Sequence, residues 1–240
     1  MRVRDFRVWT FVFLLGVSTS IAVSDEPKAK AKPATTPAVQ TKESQAAMTP
    51  AKAIDKLKAG NTRFRTGAPL ERNLPAKVRA TSTGQYPFAA ILSCMDSRAP
   101  VELVFDQTIG SLFAIRVAGN VSNVDNLGSL EYAAKVIGVK VLVVLGHTSC
   151  GAIKGAVDDV KLGNLTELLA KIKPAISAAG PGTSKDNAYV DKVAERNVRQ
   201  VMKEIREKSP VLKEMLDSGS LGLVGAMYDL GTGAVTFYAD

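Results

Sequence analysis

The chain has 240 residues, 46% of them hydrophobic and 22% charged, enough for one domain with a real core once a leader and a polar segment are set aside. The formal charge of +8 raises a nucleic-acid or membrane-surface role. Two of those charges belong to residues 1–24 (Arg2, Arg4 and Arg7 against Asp5), and the +6 that remains is scattered, with no basic stripe interleaved with aromatics. The expectation is a mildly basic solvated surface and no nucleic-acid partner.

Residues 1–24 have a basic start, an apolar stretch from Val8 to about Val17, and small residues Ala22 and Ser24 spaced for cleavage before Asp25. This reads as a signal peptide for export to a periplasm or the exterior. The near-uncharged run Trp9 to Val23 is shorter than the roughly 20 residues a membrane span needs, so no stable insertion is expected after cleavage. Residues 25–48 are rich in Lys, Ala, Pro and Thr and read as a disordered tether. A single domain is expected over 49–240.

Thr49 followed by Pro50 offers an N-cap and a first-turn proline, and Ala53, Ile54, Leu57 and Phe64 recur at helical spacing, predicting an N-terminal helical arm at about 50–65. "YPFAAILS" is a short apolar run predicting a buried strand ending near Ser93. "SLFAIRV" predicts a second, Asp125 to Ile137 a helix with an Asp cap, and "VKVLVVLG" a third strand. Helices follow at about 150–159, 164–178 and 185–208, with a shorter one in "KSPVLKEMLDSG". The chain closes on two strands around "DLGTG", an antiparallel edge hairpin. Buried strands alternating with helices predict an α/β fold with a central, mostly parallel β-sheet flanked by helices.

The chemistry concentrates in two places. His147 is the only histidine, and Cys94 and Cys150 are the only cysteines. In an exported chain two cysteines would ordinarily pair as a disulfide. Their neighbours argue otherwise, because "CMDSR" and "GHTSC" each follow an apolar strand. In parallel sheets ligands bind beyond the carboxyl ends of the strands. Cys94, His147 and Cys150 would then meet as a soft donor set suited to zinc, leaving a fourth position open for chemistry. Asp96 either fills that position or orients a water there, and Arg98 is close enough in sequence to pair with it.

"CMDSR" followed some fifty residues later by "GHTSCGA" resembles the β-class carbonic anhydrases, whose signature is Cys-x-Asp-x-Arg and then His-x-x-Cys. The likeness extends to "AIDKLKAGNTRF", "GQYPFAAILSC", "LFAIRVAGN", "GSLEYA" and "MYDLGTG", covering roughly residues 50–240. Met95 and Ala152 depart from residues common in the family, and neither position supplies a ligand.

The resemblance implies one zinc ion per chain held by Cys94, His147 and Cys150, with Asp96 and Arg98 as a catalytic dyad. It implies reversible hydration of CO2 to bicarbonate and a proton by a zinc-bound hydroxide that Asp96 orients. Gln85 and the N–H of Gly151 are implied substrate-side groups. A second, closed state is implied in which Asp96 itself takes the metal. A homodimer or homotetramer is implied, with the first helix reaching over a neighbour. Two other functions remain in play: a related zinc hydrolase of CS2 or COS, and a non-catalytic disulfide-stabilised binding protein.

Overall fold

The computed structural model describes residues 39–238. The expected signal peptide and most of the expected tether lie outside the described residues. Within the segment expected as tether, Lys42–Ala46 form a short helix, α1, capped by Thr41. Gln45 on α1 is buried and donates from Nε2 to the Pro87 carbonyl at 2.6 Å, which ties this segment to the domain ahead of Thr49.

The remaining elements are α2 (Pro50–Arg65), α3 (Leu74–Thr81), β1 (Ala89–Ser93), α4 (Val101–Val104), β2 (Leu112–Arg116), α5 (Val124–Glu131), β3 (Val141–His147), α6 (Gly151–Val157), α7 (Gly163–Ala170), α8 (Lys173–Ala179), α9 (Asn187–Lys208), α10 (Pro210–Asp217), β4 (Gly222–Tyr228) and β5 (Val235–Tyr238). The five strands form one sheet in the order β2-β1-β3-β4-β5. The first three pairings are parallel and β4–β5 is antiparallel, so the α/β fold with an edge hairpin is observed.

Some boundaries differ from the sequence expectation for identifiable reasons. The helix expected from Asp125 begins at Val124, and its cap is Asn123, whose side chain accepts the Asn126 N–H at 2.8 Å. Its last turn, Tyr132–Ile137, widens to a π-helix closed by left-handed Gly138. The helix expected over 164–178 is two helices, α7 and α8. Pro174 cannot continue a helix arriving from α7, since it has no N–H and its ring collides with the carbonyl four residues back. The structure adds α3, capped by Asn73, and the single turn α4. Both are too short to show a helical apolar period.

All residues of β1 and β3 are buried, as expected for strands covered on both faces. Ala89, Ile91, Val141, Val143 and Leu145 pack with Ala53 and Leu57 of α2 and Phe105 on one face. Ala90, Leu92, Leu142 and Val144 face α5, α9 and α10 on the other. A third cluster joins α6, α7 and α8 to the first half of α9 beyond the carboxyl end of the sheet.

Helix α9 packs against the sheet where two strand positions lack a Cβ. A Cβ on Gly146 would lie 2.7 Å from Met227 Sδ and 2.8 Å from Val198 Cγ2, and one on Gly225 would lie 2.7 Å from Met202 Sδ. This seat sets the height at which α9 reaches the loops above β1 and β3.

Candidate metal centre

The chain leaves β1 toward β2 on one side, while β3 lies on the other, so the crevice at the carboxyl ends of β1 and β3 is a switch point of the sheet. The register pairs Ser93 with Leu145. Cys94 follows β1 directly, His147 is the last residue of β3, and Cys150 caps α6. Sheet pairing therefore brings residues more than fifty positions apart to one point. The donor atoms of Cys94, His147 and Cys150 lie within 4.8 Å of one another, and all three residues are buried.

The donor chemistry fits a metal. His147 Nδ1 lies 2.9 Å from the Thr148 carbonyl, which assigns the proton to Nδ1 and leaves the Nε2 lone pair facing the sulfurs. Nε2 is buried with no hydrogen-bond partner, a costly state that metal ligation would relieve. Cys94 Sγ and Cys150 Sγ are 4.0 Å apart and both cysteines are free, against a bond length of about 2.05 Å for a disulfide.

The electrostatics favour a thiolate at Cys94. The hydrogen bond with Cys150 pulls its pKa down against burial, helped by His147 and the Gly119 N–H, which lies 3.4 Å from the sulfur. The same bond and burial push the Cys150 pKa up. Burial opposes an imidazolium at His147, but the facing Cys94 sulfur and Asp96 carboxylate outweigh it and raise its pKa.

Asp96 faces the same cluster, with Oδ2 3.8 Å from His147 Nε2. Arg98 holds it in a fork: Nε donates to Oδ1 at 2.9 Å, Nη2 to Oδ2 at 2.7 Å, and the Arg98 backbone N–H also reaches Oδ1 at 2.9 Å. These bonds keep the Asp96 carboxyl far below the usual carboxylate range, against partial burial.

The two other sequence-predicted residues are placed differently. Gly151 opens α6 beside Cys150, with nothing within 4 Å of where a Cβ would stand. Gln85 is exposed and precedes β1, at the end of the strand opposite Cys94. At about 3.3 Å per residue the strand alone separates the two by well over 10 Å, so Gln85 does not reach the centre of its own chain.

The structure also names residues that sequence reasoning missed. Arg116, at the end of β2, donates to the Cys94 carbonyl from Nε at 3.1 Å and to the Asp96 carbonyl from Nη2 at 2.5 Å, clamping the loop that carries both. Asp191 on α9 accepts the N–H of left-handed Ser149 at 2.7 Å. Asn197, fully buried, donates to the Gly119 carbonyl at 2.8 Å. Gly119 itself has φ +67°, and a Cβ there would lie 2.9 Å from Ile172 Cδ1. Signals were present: Arg116 is a lone charge closing an apolar run, and Asn197 interrupts the apolar face of α9.

A sequence model described as "Carbonic anhydrase" matches residues 89–235. Carbonic anhydrase 2 of Mycobacterium tuberculosis is 35% identical over 190 residues, 77% of this chain and 90% of its own length. The carbonic anhydrase of Mycolicibacterium smegmatis is 34% identical over 192 residues, 78% and 92% of the two chains. Among solved structures, the β-carbonic anhydrase CafA of Aspergillus fumigatus superposes with a TM-score of 0.62 at 26% identity, covering 79% of this chain and 91% of its own. Sequence signature, sheet order and converging donors agree with these matches, and the chain belongs to the β-class carbonic anhydrase family.

Proposed function

We propose that Cys94, His147 and Cys150 hold one zinc ion and that the Asp96–Arg98 pair serves the hydration of CO2 to bicarbonate and a proton. The observation that carries this is the buried, partnerless His147 Nε2 facing two sulfurs, with the Asp96 carboxylate beside it. Zinc supplies a Lewis acidity that makes water nucleophilic near neutral pH.

The protein residues supply the rest. Asp96, kept ionised by the Arg98 fork, accepts the proton side of the attacking water at Oδ2 and so aims its lone pair at the carbon of CO2. Arg116 fixes the Cys94–Asp96 backbone, so that ligand and acceptor keep one spacing. Opening the Arg98 fork would free Asp96 to turn onto the metal itself, the closed state of the sequence reading. With His147 committed as a ligand, no second histidine exists to carry the released proton away, and turnover should depend on buffer concentration.

Gln85 fits this reading only as a contribution to the site of a second copy, because its position excludes its own. A homodimer or tetramer is therefore part of the proposal, and the fold is shared with two tetrameric β-carbonic anhydrases of Sordaria macrospora. The Gly151 N–H is proposed as a donor to bound bicarbonate. Export belongs to the proposal as well; among the described residues no helix is long and apolar enough to cross a membrane.

Metal analysis and a CO2 hydration assay on one preparation test the function. The expected result is one zinc per chain and rapid hydration, both lost in Cys150→Ser. Zinc without CO2 hydration but with turnover of CS2 or COS would replace the substrate. Absence of zinc together with no titratable thiols would overturn the metal centre.

A further inference from the structure

We propose a second binding site, for a small oxyanion, at the amino end of the sheet and separate from the metal centre. A narrow cavity of about 50 Å³ lies between α2, α3 and the loop that leads from α4 into β2. It is several times the space one water needs. Ser111 on its wall immediately precedes β2, whereas Arg116 of the metal centre ends that strand, a span of about 17 Å at the usual rise.

Four cationic side chains line this cavity, Lys56, Arg63, Arg72 and Lys77, against two carboxylates, Asp106 and Glu71. Asp106 is already saturated: Oδ2 accepts from Arg63 Nε at 2.6 Å and from the Leu70 N–H at 3.1 Å, and Oδ1 accepts from Arg72 Nη2 at 2.5 Å. Each guanidinium keeps further N–H groups beyond those bonds. The Lys56 ammonium donates to Gln40 Oε1 at 3.1 Å and sits 4.2 Å from the centre of the Phe88 ring, both uncharged partners. Burial and the nearby Arg63 and Lys77 charges lower its pKa, the expected result of packing cations together. Lys77 is only 4% exposed.

A second observation concerns a residue of the same lining. Thr108 lines the cavity, and its Oγ1 is buried with no hydrogen-bond partner. A stranded hydroxyl beside excess positive charge is what an acceptor-only ligand with several oxygens would satisfy. Inorganic phosphate and bicarbonate share that chemistry, and the size of the cavity admits either but no nucleotide.

The test follows thermal unfolding of the zinc-loaded full chain against inorganic phosphate and, in separate runs, against bicarbonate. Chloride keeps the ionic strength constant. The expected result is a saturable rise in midpoint with at least one anion; which one responds identifies the ligand. Lys56→Met should weaken half-saturation about tenfold, the worth of a charged hydrogen bond. Thr108→Val, which keeps the side-chain shape, should weaken it measurably and carries the test should Lys56→Met not fold. No saturable rise with either anion would overturn the proposal. So would an equal rise in the wild type and both variants, which would place the anion elsewhere, such as the metal centre.

Discussion

Asn197→Ala separates the support of the metal centre from the centre itself. In the native protein Asn197 Nδ2 donates to the Gly119 carbonyl at 2.8 Å, while its Oδ1 is buried without a partner. Truncation strands the Gly119 carbonyl, a cost of about 1–3 kcal/mol, and also removes the stranded Oδ1, a relief of similar size. What remains is chiefly the small cavity, so the net loss should be about 1 kcal/mol, or roughly 2–4 °C in Tm for a domain of this size. The effect on the site should be larger than the effect on the fold. Gly119 offers its N–H to Cys94 Sγ, and loosening such a support typically weakens a metal about 10- to 100-fold. Asn197→Asp keeps the shape but sets an acceptor against an acceptor in a buried place, so it should destabilise more than the alanine. Denaturant unfolding of the metal-free protein gives the first quantity, and zinc competition with a chelator gives the second. A wild-type zinc affinity in Asn197→Ala would refute the idea that α9 holds the Gly119 turn. Equal stability of the Ala and Asp variants would refute the assigned donor.

Arg98→Met should release the Asp96 carboxyl toward its ordinary pKa of about 3.9 and cost about 10- to 100-fold in CO2 hydration, read by carboxyl 13C titration of the metal-free protein and by stopped flow. Unchanged titration of Asp96 would show that the fork does not hold it. Gly146→Ala should cost about 1–3 kcal/mol through the collision with Met227 and Val198, and Val198→Ala in the same chain should recover part of it; simple additivity in urea unfolding would contradict the close seat of α9. Burial raises the Glu204 pKa, but hydrogen bonds from Ser122, Gln200 and Lys208 outweigh it and leave the carboxyl below its ordinary value. A lowered folded-state pKa gives stability that is complete above the unfolded value, about 4.3, and disappears as pH falls through the folded one. The advantage of the wild type over Glu204→Gln should therefore shrink below about pH 4.3, and an advantage that grows on acidification would reverse the assignment.

The strands and the convergence of Cys94, His147 and Cys150 were legible because each rests on a local signal. The runs at 89–93 and 141–147 are apolar throughout since both faces are covered, and two short motifs follow them. Zinc-type donors are also few in this chain, so the choice of ligands was narrow. What stayed hidden depends on the third dimension. The clamp of Arg116 on two carbonyls, and the reach of Asp191 and Asn197 to loops above the sheet, join residues that share no spacing. Gln85 is a different case: it lies nine positions before Cys94, and the intervening strand sets it at the opposite end of the sheet from the centre of its own chain. The break between α7 and α8 could have been read from Pro174, whose effect on a preceding helix is purely local.

A practical consequence follows from His147 having one ring nitrogen committed to the Thr148 carbonyl and the other aimed at the sulfurs. Since no other imidazole exists in the chain, its nitrogen-15 spectrum contains one pair of ring signals, without selective labelling or assignment. The Nδ1 signal should stay pyrrole-like throughout, while the Nε2 signal moves on ligation. Occupancy of the centre can thus be followed in the purified chain, independently of turnover.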